Sequence, residues 1–139
     1  MSLLAAISAR LGTDATYSAA MGSRIGTTRK FAGLPGSVLE TISEQRTQHY
    51  KGFQLRQAMV QLDILARDEV EGARLRDLAI DLLTPGTTAA GIRFDRAQTV
   101  NVRSGGVLGT QPHPQPIAGR LQAEIHRESI DFIFTYRPA

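Results

Sequence analysis

Three histidines, His49, His113 and His126, are the side chains best suited to holding a metal or moving a proton near neutral pH. None stands three or four residues from another, so no helix could turn two of them toward one ion, and no HExxH pattern occurs. His49 falls in a predicted turn, His113 in a proline-rich stretch and His126 at the start of a predicted strand. Cysteine is absent, which removes thiolate ligands, thiol nucleophiles and disulfides together. The run Ser104-Gly105-Gly106-Val107-Leu108-Gly109 follows a predicted strand, as a phosphate-binding loop would. Such a loop needs a helix N-terminus just beyond it to aim backbone N–H groups at the anion. Pro112, Pro114 and Pro116 come next instead, and there is no GK[ST]. No serine lies in a GxSxG elbow. Glu40 and Glu44 are a carboxylate pair, but on a strand they share a parity and face solvent. The residue types therefore call for no cofactor, no metal and no catalytic group.

Charge offers a different kind of site. The chain carries 16 Lys and Arg against 13 Asp and Glu, for a net charge of +3. The basic side chains Arg24, Arg29, Lys30, Arg46, Lys51 and Arg56 precede an acidic stretch holding Asp63, Asp68, Glu69, Glu71, Asp77 and Asp81. Solvated faces often look like this. The same split also suits a head-to-tail contact between identical copies, one patch meeting a different patch on the next subunit. Arg46 and Arg56 on one side, and Asp68, Glu71 and Asp77 on the other, are the candidate contact residues. Phe31, Tyr50 and Phe53 lie among the cations like a loose stacking surface, yet no dense Lys/Arg stripe accompanies them. Contact with passing DNA without sequence recognition is the expectation.

The elements that would position these groups follow from periodicity. Leu3, Ile7 and Leu11 predict a short amphipathic helix from Leu3 to about Arg10, with Gly12 as its C-cap. The start of the chain lacks the basic-then-apolar layout of a signal peptide, and no stretch reaches the ~20 apolar residues that span a bilayer. Asp14 caps a second short helix that stops at Gly22. The stretch from Arg24 to Gly36 reads as loop. Ser37 to Thr47 is a first strand, and Gln54 to Ala66 a second, where Val60, Leu62 and Ile64 alternate with Gln61 and Asp63. A helix runs from Arg67 to Leu83, with Asp68 and Glu71 as a capping pair and Leu75, Leu78, Ala79, Leu82 and Leu83 as its apolar stripe. Gly91 to Arg103 is a third strand, with Ile92, Phe94, Val100 and Val102 on one parity. A long Gly/Pro-rich connection follows at about 104–119, and Pro112, His113 and Pro114 within it are candidate contacts to a partner or a lumen. The last strand runs to the C-terminus, with Ile130, Phe132, Phe134 and Tyr136 on its inner parity. Leu121, Ala123 and Ile125 have the opposite parity, which a bulge near Arg127 or a separate element would reconcile.

The expectation is one α+β domain over residues 1–139: a mainly antiparallel four-stranded sheet with helices packed on one face. Asp131 then lies opposite the core face, together with Ile133, Met59 and Leu65. A neighbouring subunit covering that face would bring a basic partner to Asp131.

Three stretches, in this order, resemble the tail-completion (tail-terminator, or head-to-tail joining) family of long-tailed phages and phage-like particles. The start, Leu3 to Leu11 and then Met21-Gly22-Ser23-Arg24-Ile25, resembles the family's helical pair and Gly-x-Arg-Ile turn. The middle, Ala58 to Arg67, is similar to its central VQVDVWA strand. The end, Arg127 to Arg137, is similar to its terminal RRSLDFxVxY strand. The stretch from Gly105 to Gln122 is the least typical. The resemblance implies a virion protein made in the bacterial host cytoplasm. It would form a ring, typically a hexamer, on the head-proximal end of the tail tube, where it stops tube polymerisation and receives the head connector. Genome DNA would pass through the lumen, no reaction would be catalysed and no membrane would be involved. A different neck adaptor, which would bind portal rather than tube, shares this composition. A non-viral binding module would be a monomer or dimer with a pocket or basic face, and a small enzyme would need a cleft with a perturbed ionisable group.

Overall fold

The structure, a computed structural model, describes residues 2–22, 24–27, 34–48, 54–110 and 124–138. Three helices, α1 (Leu3–Gly12), α2 (Ala15–Met21) and α3 (Glu69–Leu83), accompany seven strands: β1 (Ile25–Gly26), β2 (Gly36–Gln48), β3 (Gln54–Ala66), β4 (Thr87–Ala89), β5 (Ile92–Phe94), β6 (Gln98–Thr110) and β7 (Glu124–Pro138). The sheet runs β1-β2-β3-β7-β5-β4, with β6 also on β7. Among the described residues it therefore has seven strands rather than the expected four. All pairings are antiparallel except β1 with β2.

The extra strands have local causes. Positive φ at Ala90 and Gly91 closes the two-residue turn of the β4–β5 hairpin, the backbone that such hairpins require. The third predicted strand is broken because Ala97 N–H leaves the ladder and donates to Thr84 O at the end of α3. β7 is long enough to pair with β6 along residues 124–133 and with β5 along 136–138. Ile92 and Phe94 are buried as their parity predicts, but Val100 and Val102 are 51% and 41% exposed, because β6 is an outer strand and bulges at Val100. The predicted connection at 104–119 does not start at Ser104. Residues 104–110, the glycine run included, continue β6, while the stretch holding Pro112, His113 and Pro114 lies outside the described residues.

β3 and β7 pair without interruption from Arg56↔Tyr136 to Ala66↔His126, so β7 itself has no extra residue at Arg127; the irregularity there lies on β6, which shifts register between Gly105 and Val107 opposite Arg127 and His126. Their even-numbered residues face the helices. Val60, Leu62, Ile64, Ile130, Phe132 and Phe134 share one core with Ile7 and Leu11 of α1, Tyr17 and Met21 of α2, and Leu75, Ala79 and Leu83 of α3. Each large side chain buried there contributes about 1.5–3 kcal/mol. Phe94 meets Phe134 edge-on, with ring centroids 5.7 Å apart.

The helix ends are set by side chains. Asp14 Oδ2 accepts from Tyr17 N at 2.8 Å, and Asp68 Oδ1 accepts from Glu71 N at 2.8 Å. Glu71 Oε1 reaches back to Arg67 N at 3.1 Å. Gly12 is the last residue of α1, and Thr13 rather than Gly12 caps it in right-handed conformation.

Candidate functional site

A buried carboxylate under α3 is the most chemically loaded place in the protein. Glu128 lies on the even, inward parity of β7 and is fully buried. Ser104 Oγ, on β6 directly opposite, is 2.9 and 2.7 Å from its two carboxylate oxygens. His126 Nε2 lies 2.9 Å from Oε1. An ionised carboxylate only accepts, so Nε2 carries the proton of that bond. Arg76 Nη1, from α3, reaches Oε2 at 3.3 Å. Burial pushes the Glu128 carboxyl up, but the bonds from His126 and Ser104 and the charge of Arg76 together outweigh it and hold the group below the ordinary glutamate value.

α3 can come this close because Gly72 has no side chain. A Cβ there would sit 2.6 Å from His126 Cδ2. The cluster is a clamp across three elements, not a nucleophile and its base. The single hydroxyl proton of Ser104 points at Glu128, and the described nitrogen bond of His126 goes to the same carboxylate. Among the described residues no group of three or more His, Asp or Glu side chains is placed to hold a metal, and no helix is long and apolar enough to cross a membrane.

A second carboxylate sits back to back with the first. Asp63 of β3 pairs with Ser129 of β7, one position along from Glu128, and is buried on the opposite face of the sheet. Ser129 Oγ donates to Asp63 Oδ1 at 2.6 Å, Gln61 Nε2 donates at 2.9 Å, and Arg127 Nη2 approaches Oδ2 at 3.3 Å. Two further polar ties join helices to the frame. Arg10 of α1 donates through Nη2 to Leu82 O and Pro85 O at the end of α3, and its guanidinium carbon lies 4.8 Å from the centre of the Phe94 ring. Tyr17 meets Ser37 at 2.5 Å in the core, where burial raises the phenol above its usual value.

The charged residues singled out by sequence are placed as follows. Arg46 stands opposite Arg56 where β2 and β3 approach their connection. Arg56 is half-buried and pairs in register with Tyr136. Asp68 and Glu71 cap α3, Asp77 pairs with Arg76 at 3.1 Å, and Asp131 pairs with Arg103 of the same chain at 3.3 Å. Arg56 is near the start of β3 and Asp68 follows its end, a span of roughly 30 Å, whereas Asp77 lies in the middle of α3, which packs back over β3 and β7. Asp63 belongs to the sheet rather than to the acidic helix. Glu40 and Glu44 do not share a face, because the bulge between Thr41 and Ser43 shifts the register. Glu44 turns to the helix side and accepts from Tyr136 Oη at 2.5 Å. Glu128, Ser104 and Arg76 were missed by sequence reasoning. The available signal was parity, since Glu128 shares that of Ile130, Phe132 and Phe134.

No protein-family model matches the sequence, and no curated protein is significantly similar to it. Among solved structures, the chain is similar at 14% identity and a TM-score of 0.66 to a chain of the virion of a native gene transfer agent (GTA) particle. The likeness covers 96% of this chain and 93% of that one, and it shows a common fold from end to end.

Proposed function

We propose that this protein is a virion structural subunit that assembles as a ring on the head-proximal end of a phage or phage-like tail tube. There it ends tube polymerisation and presents the surface on which the head connector docks. The observation that carries the reading is the near full-length fold shared with a chain of a GTA virion, at a TM-score of 0.66. The ordered resemblance of the first helices, the β3 segment and the β7 segment to tail-completion proteins points the same way.

A ring of identical subunits needs a heterologous contact, with different patches meeting across each boundary. Arg46 and Arg56 at one end of β3, and Asp68, Glu71 and Asp77 at the cap, first turn and middle of α3, are proposed contacts of the assembly, with Asp131 on the open face. The stretch with Pro112, His113 and Pro114 is proposed to reach a partner or the lumen. Tail tube protein and head connector are the partners, and genome DNA passes through without sequence recognition. Exposed ion pairs contribute only ~0.2–1 kcal/mol each, so the ring depends on apolar contacts and on multiplicity.

Native mass spectrometry or light scattering over a concentration series, with and without purified tail tubes, tests the proposal. A hexamer, or a monomer that closes into rings on tubes, is the expected result. A monomer that never engages a tube overturns it in favour of a binding module, and binding to portal but not to tube favours a neck adaptor.

A further inference from the structure

Among the described residues, two long strands of the sheet, β2 and β6, have outer edges left largely without a described partner. β1 covers β2 only at Ser37 and Val38, so the outer edge of β2 from Leu39 onward has no described partner. β6 pairs with β7 on one side and with nothing described on the other. Both strands are 13 residues long. Natural sheets protect such edges with charged side chains, prolines, bulges, short strands or a covering element, and the bulges and charges of β2 and β6 are of this kind, though both strands are long. Here each edge has a bulge whose extra residue is an exposed β-branched apolar side chain, Ile42 on β2 (49% exposed) and Val100 on β6 (51%), and Val102 lies beside the latter. The charges are complementary on the open face: Glu40 stands on the β2 edge and Arg103 on the β6 edge.

We propose that these edges are the two halves of one contact between copies of the chain, in which β6 of one subunit adds to β2 of the next and continues the sheet. The inference rests on the ring reading and names the surface that closes it. Direction follows from topology. β2, β3, β7 and β6 alternate in direction across the sheet, and rotation about a ring axis along the strands preserves that direction. β6 therefore meets the next copy's β2 antiparallel, the pairing of strand addition at a free edge.

Faces fix the register. Glu40 is opposite Gln61 and Arg103 is opposite Ser129, so both project from the open face; Thr41 is opposite Val60 and Val102 is opposite Ile130, so both project from the helix face. One antiparallel alignment sets Glu40 against Arg103 and Thr41 against Val102, and brings Ile42 between Val100 and Val102. Beyond the two bulges it still matches faces, with Glu44 against Thr99, opposite Ala58 and Phe132 respectively. Arg103, which already pairs with Asp131, would then bridge two carboxylates.

The absence of cysteine makes the contact directly testable. A Thr41→Cys/Val102→Cys protein is oxidised mildly under conditions where the wild type forms rings, with or without tail tubes. Within one chain the two positions are three strand spacings apart, about 14 Å, beyond the reach of a disulfide. A reducible ladder of covalent multimers from the double variant, and none from either single variant or from Val70→Cys/Val102→Cys, is expected. As a second readout, Glu40→Arg and Arg103→Glu should each raise the concentration needed for ring formation about tenfold, and the pair together should restore it. Rings that form normally without cross-linking, and without response to the charge changes, overturn the edge contact and leave the ring reading standing. No ring under any condition removes both. If a cysteine at Thr41 is shielded from alkylation only by tail tubes, the edge takes a strand of tube protein and the copy-to-copy assignment falls.

Discussion

Glu128 and Asp63 occupy neighbouring positions in paired strands, yet they do different work. Each is buried, and each is met by a serine, an arginine and one further polar side chain. The Glu128 partners come from α3, β6 and β7, whereas Ser129, Gln61 and Arg127 reach Asp63 from β3 and β7, strands already joined by an unbroken backbone ladder. Glu128 thus fastens a helix and an outer strand to the sheet, while Ser129, Gln61 and Arg127 tie Asp63 into a pairing that the backbone ladder already makes. What a buried carboxylate contributes is set less by its depth than by how many otherwise separate elements it joins.

The largest effect should come from breaking the first cluster. Glu128→Ala takes the common acceptor from His126, Ser104 and Arg76, with Asp77 still beside Arg76, and should cost about 3 kcal/mol in urea unfolding, the low end for breaking a buried ion pair. Asp63→Ala should cost less, roughly 1–3 kcal/mol. A larger loss at Asp63 would reverse the comparison and show that the open face, not the helix face, governs stability.

Next is the approach that makes the cluster possible. Gly72→Ala forces a methyl group to within 2.6 Å of His126 Cδ2, and overpacking of this kind costs about 1–3 kcal/mol. Paired with His126→Ala, much of that penalty should disappear, because the ring is what the methyl group meets. Equal losses in the presence and absence of the imidazole would show that α3 is held off by backbone instead.

The clamp also has a pH signature. The folded carboxyl of Glu128 titrates below its ordinary value of 4.5, so the native state binds fewer protons than the unfolded chain. The stabilisation is therefore complete above the ordinary glutamate range and is lost as pH falls through the lowered native value. Glu128→Gln removes this component. The stability gap between wild type and variant, measured by unfolding at a series of pH values, should narrow on acidification, and a gap that widens would contradict the clamp.

Much of the frame was legible in sequence because single local rules decide it. The Asp68/Glu71 cap, the Asp14 cap and the alternation along β3 and the end of β7 each depend on spacing alone, and the structure has them where spacing puts them. What was not legible depends on tertiary neighbours. Nothing local in Gly91 to Arg103 says that Ala97 N–H will be taken by Thr84 O, so the broken strand and its exposed Val100 and Val102 could not be read from parity. The bulge at Ile42 likewise moves Glu44 to the other face. Nothing local marks Gly72, whose role depends on a histidine 54 positions later in the chain. The Glu128 cluster could have been suspected from parity, but its partners on α3 and β6 could not.

The smallest effect expected is at the Arg103–Asp131 pair, and it separates folding from assembly. Arg103 is about half exposed, so Arg103→Ala should change the stability of the monomer by only ~0.2–1 kcal/mol, with the difference shrinking further in high salt. If that residue acts only within its own chain, ring formation should respond as weakly as unfolding does. If it also reaches Glu40 of the next subunit, assembly should fall well beyond what the stability change accounts for, because every boundary in a closed ring repeats the loss. Measuring both quantities on the same variant distinguishes a surface ion pair that trims the sheet from one that joins sheets.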